Sequence, residues 1–182
     1  GSDVDALSMS YRSGDKFMSK ASGKTNDQAT FITNLGRLYC VDIKDLPSAR
    51  GQGEPLSAKA NLQAGEKAVH VVIPKKDSSY LIASDKGYGF ITAGENLQTR
   101  NKAGKALISI DEDATMLNPI EITDKENDLI AVASQSGRLL IYKLSELPSL
   151  NSGKGNKLIG ISGAKLAIGS DGIASIAILK QD

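Results

Sequence analysis

The sequence predicts an all-β fold, a propeller-like array of four-stranded blades, and three observations carry that expectation. First, the chain repeats itself: GRLYCVDIKDLPS from Gly36, GYGFITAGENLQT from Gly87 and GRLLIYKLSELPS from Gly137 share one pattern, with first glycines 51 and 50 residues apart. Second, each segment is preceded by an apolar run and followed by a basic, glycine-bearing loop and a further apolar run. Third, no window keeps an apolar stripe at helical spacing, so long helices are not expected. A unit of about 50 residues with about four short strands cannot bury both of its own faces, and stacked units bury them against one another.

The elements follow in order. Gly1-Ser2 reads as the scar of a cleaved tag, so the natural chain is expected to continue on the N-terminal side. Gly14 to Gly36 spans 22 residues where Gly53 to Gly87 spans 34, which makes the first unit incomplete. The expected repeats within a single domain over 1–182 are 3–27 (partial), 28–77, 78–127, 128–161 and 162–182 (partial), an array that leaves the ring open. In the full units the first strands are Ala29 to Asn34, Tyr80 to Asp85 and Leu129 to Ser134. Asn34-Leu35-Gly36, Asp85-Lys86-Gly87 and Gln135-Ser136-Gly137 then place glycine where a hairpin turn needs positive φ. Leu46-Pro47 and Leu147-Pro148 are expected to end the second strands, because proline has no N–H for the ladder. The loops RGQGEPL from Arg50, NKAGKALISI from Asn101 and SGKGNKLIGI from Ser152 lead into third strands. Leu158 to Leu179 is the most apolar stretch, but Lys165, Asp171 and its glycines argue against a bilayer span and for two strands joined at Ser170-Asp171-Gly172.

Composition narrows the chemistry. One cysteine and one histidine exclude an internal disulfide, a Cys-rich zinc site and a His-rich metal centre. The same cysteine usage suggests an intracellular, cytoplasmic protein. A Cys/His nucleophilic pair would require Cys40 and His70 to meet, yet Cys40 reads as a small buried hydrophobe and His70 as a strand residue. Asp111-Glu112-Asp113 lacks the glycine and spacing of a calcium loop and reads as a solvated turn. No residue set here supports catalysis.

The segment Gly36 to Leu56, with GRLY and then DLPSARGQGEPL, resembles the C-terminal domain of bacterial type IIA topoisomerase A subunits. Within that family Ser10 to Asp15, Ser84 to Phe90, Arg100 to Leu107 and Gly153 to Lys157 look like the topoisomerase IV branch rather than the gyrase branch, and the match runs from about Asp3 to Ile176. The resemblance implies a β-pinwheel whose blades exchange strands, with a basic rim that carries bent DNA and, in topoisomerase IV, an open five-bladed arrangement. It also implies a parent enzyme, with an ATP-hydrolysing B subunit, that passes one duplex through a break in another. The catalytic core, ATP and Mg2+ would lie outside this segment, so no cofactor is expected within it. Gyrase carries a Gln-Arg-Arg-Gly-Gly-Lys-Gly box in its first blade. At the corresponding place this chain has Tyr11-Arg12-Ser13-Gly14-Asp15-Lys16, which argues against chiral wrapping while leaving DNA bending in place.

A net charge of +1 at first argues against nucleic acid. Resolved along the chain, it does not: Asp111 to Asp128 holds seven acids and one base, and setting that stretch aside leaves 21 bases against 14 acids. The remaining bases recur on equivalent loops, and the candidate DNA-binding residues are Arg12, Lys16, Arg37, Arg50, Lys86, Arg100, Lys102, Lys105, Arg138, Lys154 and Lys157. Loop glycines would let phosphates approach backbone N–H groups. Five tyrosines and three phenylalanines, Tyr39, Tyr88, Phe90 and Tyr142 among them, read as packing residues rather than base platforms. The expected function is a DNA-binding, DNA-bending accessory domain at the nucleoid that guides the transported duplex. The competing reading is a docking module for a chromosome-organising, condensin-type protein.

Overall fold

The structure, a computed structural model, describes residues 27–47 and 52–181. Arg12, Lys16 and Arg50 lie outside the described residues, as does the Tyr11 to Lys16 segment. The chain divides into two compact units. One comprises Gly1–Pro74 with Leu97–Ala106, the other Lys75–Asn96 with Leu107–Asp182.

The expected all-β class is what forms. The strands are β1 (Gln28–Thr33), β2 (Arg37–Asp42), β3 (Ala68–Val72), β4 (Ser79–Ala83), β5 (Tyr88–Ala93) and β6 (Lys105–Ala106), followed by β7 (Ile120–Ile122), β8 (Leu129–Ser134), β9 (Leu139–Lys143), β10 (Asn156–Lys157) and β11 (Ile173–Leu179). The first unit holds one sheet, in the order β3-β1-β2-β6. The second holds two, β10-β5-β4-β7 and β11-β8-β9, and all of these pairings are antiparallel. Each hairpin turns on the expected glycine, with φ of 73° at Gly36, 96° at Gly87 and 89° at Gly137. In the second unit Leu81, Ile91, Ile130, Val132, Leu144 and Ile173 form one core shared by its two sheets.

The fourth strands come from elsewhere in the sequence than the hairpins they join. β6, which follows β5 in the chain, pairs with β2 through Arg37↔Ala106 and Leu38↔Lys105. β10 stands in the same relation to β5, through Gly89↔Asn156 and Tyr88↔Lys157. Each of these two sheets is thus completed by the basic loop of the following repeat.

Three local expectations need correction. The second strands end at Asp42 and Lys143, several residues before the prolines. The 3-10 turns Ile43–Asp45 and Leu144–Glu146 stop the ladder first, and Leu46 N and Leu147 N bond back to the carbonyls of Ile43 and Leu144. The third apolar runs give ladders of only two residues, β6 and β10, while β3 and β7 supply outer strands that the repeat pattern did not single out. In the Leu158 to Leu179 stretch the first expected strand is instead α1 (Gly163–Ala167). Ser162 caps it by accepting from Lys165 N at 3.3 Å, and Gly169 at φ 68° closes it. The second expected strand, β11, joins β8 rather than forming a hairpin of its own. Among the described residues no helix is long and apolar enough to cross a membrane.

Tyr142, half-buried, donates to Leu158 O at 2.8 Å, and its phenol is pushed up to about 12, first by burial and then by the Glu146 carboxylate. A phenol whose folded value is raised stabilises the fold fully below its ordinary value near 10, and that contribution is lost as pH rises through about 12. Urea titrations at pH 8 and pH 11 are therefore expected to show a smaller alkaline loss in Tyr142→Phe than in the unmodified chain.

Candidate nucleic-acid interface

In the first unit the β1–β2 turn is clamped by the loop before β3. Asn34 Nδ2 donates to Gly65 O at 3.1 Å, and Asn34 Oδ1 accepts from Lys67 N at 2.8 Å. Beneath that clamp the buried Glu66 carboxylate accepts from Thr33 Oγ1 at 2.7 Å, Tyr39 OH at 2.8 Å and Gln63 N at 2.8 Å. Burial pushes its pKa upward, but these three donors and the nearby Arg37 outweigh that and hold it below the usual carboxylate range. Tyr39 is raised by its burial and by its bond to Glu66.

Arg37 is half-buried and donates from Nη2 to Ala103 O at 3.0 Å, so it fastens the incoming basic loop. That loop is a tight turn: Ala103 N donates to Asn101 Oδ1 at 3.0 Å and Gly104 N to Asn101 O at 2.9 Å. Arg100 and Lys102 stand exposed on it, while the half-buried Lys105 places Nζ 3.5 Å from Gln98 O. A cleft of about 340 Å³ beside them is lined by Gln28, Cys40, Asp42, Lys59, Arg100 and Lys102. Lys59, which also pairs with Glu54 at 3.3 Å, lies outside the recurring loops, so no repeat pattern could have found it.

The second unit repeats this convergence, with carboxylates set among the bases. Lys86, at the tip of the β4–β5 turn, is only 15% exposed and pairs with Asp113 at 3.1 Å; it also donates to Leu166 O at 3.3 Å. Lys86 holds the Asp113 carboxyl below its ordinary range, by hydrogen bond and by charge. Lys154 lies over the Tyr88 ring at 4.5 Å from its centroid, and its Nζ is 3.8 Å from Asp111. Lys157 is exposed on β10, cross-strand from Tyr88. In the third sheet Arg138 is exposed, but its Nη1 donates to Gly160 O at 2.7 Å.

Strand exchange therefore brings Arg37, Lys102 and Lys105 to one end of the first sheet, and Lys86, Lys154 and Lys157 to the equivalent end of the second. Arg100, Lys102, Lys154 and Lys157 present charge to solvent, whereas Arg37 and Lys86 hold loops in place. The solvated acidic turn expected at 111–113 is exposed as foreseen, but two of its three carboxylates rest on candidate lysines. Two loop glycines have a structural reason that the phosphate reading overlooked. A Cβ on Gly104 would stand 2.6 Å from Leu38 O, and one on Gly155 only 2.0 Å from Gly89 O.

Comparison with known proteins places this geometry. The family described as DNA gyrase C-terminal domain, beta-propeller, matches residues 27–75, 79–120 and 128–180. The A subunit of DNA topoisomerase 4 from Pseudomonas aeruginosa is 45% identical over 98% of the chain, and that from Escherichia coli K12 is 44% identical over 98%; the chain spans 24% of the length of each. The solved structure of the E. coli ParC C-terminal domain superposes with a TM-score of 0.87 at 43% identity, covering 98% of this chain and 73% of that one. Three blade-length matches in register with the three hairpins, together with near-complete coverage by these relatives, show that the chain belongs to the gyrase A-type C-terminal β-propeller family, on its topoisomerase IV branch.

Proposed function

We propose that the chain is a DNA-binding and DNA-bending accessory domain of a type IIA topoisomerase. It steers the transported duplex, and with it the parent enzyme's choice among crossings in decatenation, supercoil relaxation and chromosome segregation. The observation that carries this reading is the recurrence of exposed bases on the exchanged loops: Arg100 and Lys102 in one unit, Lys154 and Lys157 in the other. Exposed charges at matching places on the exchanged loop of each unit suit contact with a phosphate backbone, and among the described residues no base-reading element stands beside them. The relatives named as A subunits of DNA topoisomerase 4 support it. In this reading the strand-passage chemistry, ATP, Mg2+ and the B subunit belong to the remainder of the parent assembly, which acts in the cytoplasm at the nucleoid.

The test is a titration with duplex DNA across salt. If about four to six phosphates are neutralised, log K falls against log salt with a slope of about −4 to −5, with little dependence on sequence. Charge reversal at Lys102, Lys105, Lys154 and Lys157 is expected to weaken binding at least tenfold and flatten the slope. An affinity that reversal leaves unchanged would turn the reading toward docking of a protein such as a condensin-type partner.

A further inference from the structure

The acidic turn after β6 is fixed to the second unit by two unequal contacts. At one end the Asp113–Lys86 pair is short, 3.1 Å, and its lysine is 15% exposed and also bonded to Leu166 O. Asp85 Oδ1 adds a bond from Thr115 N at 2.9 Å. At the other end the Asp111–Lys154 pair is long, 3.8 Å, and its side chains are 66% and 48% exposed. The Tyr88 ring under Lys154, 4.5 Å from the ammonium, is a second contact for the cation that does not involve Asp111. An anchored turn thus holds a loosely paired carboxylate against an oriented, half-exposed cation.

We propose that Asp111 is an intramolecular stand-in for a DNA phosphate at Lys154, displaced when the duplex binds, so that the acidic turn sets how tightly this blade holds DNA. The inference rests on the DNA-binding reading above. Binding at Lys154 exchanges a carboxylate for a phosphate, and the freed carboxylate recovers a counterion, so this contact contributes little to the salt slope. Without Asp111 the same contact releases about one ion net. Glu112, exposed on the same turn, makes no ion pair with Lys154 and serves as a control for general repulsion.

The experiment is fluorescence anisotropy of a labelled duplex with the full 182-residue chain, comparing the unmodified protein with Asp111→Asn, Glu112→Gln, Lys154→Gln and the Asp111→Asn/Lys154→Gln double variant. Asp111→Asn is expected to tighten binding about two- to fivefold, the range an exposed ion pair is worth, and to steepen the salt slope by about one. Glu112→Gln is expected to do less, and the Asp111→Asn gain is expected to vanish when Lys154 is already glutamine. Asp111 is exposed and the change is isosteric, so an unshifted thermal midpoint confirms that folding is not at issue. DNA binding that Asp111→Asn leaves unchanged, or a gain that persists without Lys154, overturns this inference and leaves the DNA reading standing. No binding by any variant at low salt overturns both.

Discussion

Replacing Gly155 with alanine is expected to cost about 3 kcal/mol of stability, a large effect for the addition of one methyl group. Gly155 has φ of 78°, where an L side chain costs about 1 to 2 kcal/mol. Its Cβ would also stand 2.0 Å from Gly89 O and 2.4 Å from Gly89 C, atoms of the neighbouring strand that can retreat only by opening the β5–β10 ladder. Overpacking of that kind adds about 1 to 3 kcal/mol. Gly137 is the control, since it has φ of 89° but open space around the added atom, so Gly137→Ala should show the backbone cost alone. Urea unfolding of both variants decides the matter; equal losses would mean that the exchanged strand is not held as described. Gly104→Ala is the corresponding change in the first unit, with Leu38 O and the Tyr39 ring each 2.6 Å from the new atom.

Glu66→Ala is expected to be as damaging in the first unit, at about 3 kcal/mol. It strands the Thr33 hydroxyl, the Tyr39 phenol and the Gln63 N–H, two of them deeply buried side-chain donors, and each orphaned group costs about 1 kcal/mol or more. Glu66→Gln keeps the shape and one acceptor, and is expected to cost about half as much. The pH response separates charge from packing. Because the folded carboxyl titrates below its ordinary value of 4.5, its contribution is complete above pH 4.5 and is lost as pH falls through the lower folded value. The unmodified protein should thus lose more stability on acidification than Glu66→Gln, which keeps only the losses from other lowered carboxyls such as Asp113. Parallel losses in the two proteins would show that Glu66 acts through shape alone.

The repeat, the hairpins and their turn glycines were legible in the sequence because each depends on local signals: β-rich runs and a positive-φ glycine between them. The partnering of strands was not. Third strands were expected in the runs that hold Lys105–Ala106 and Asn156–Lys157, but two residues set no alternation and name no partner, and only the geometry of β2 and β5 recruits them. α1 escaped for a related reason: one helical turn with a serine cap is too short to show a periodicity. The basic positions were legible in composition and recurrence, but their division into anchors and presented charges was not, because a repeat pattern marks where Arg37 and Lys154 sit and not what they touch. Arg37 is drawn in by Ala103 O, whereas Lys154 rests on a tyrosine face toward solvent. Lys59 left no signal because it recurs nowhere.

The two-residue strands make each basic loop a latch as well as a display. Whatever binds Lys157 binds a residue that is also the last rung of the second sheet, and the same holds for Lys105 and the first. Occupancy and sheet closure are then thermodynamically linked: a ligand at 100 times its Kd would stabilise the closed ladder by about 2.7 kcal/mol, and fraying would weaken the ligand in proportion to the fraction of ladder left open. A polyanion held at one such latch would tighten the sheet that displays it, so binding and the closing of that sheet's edge are a single equilibrium.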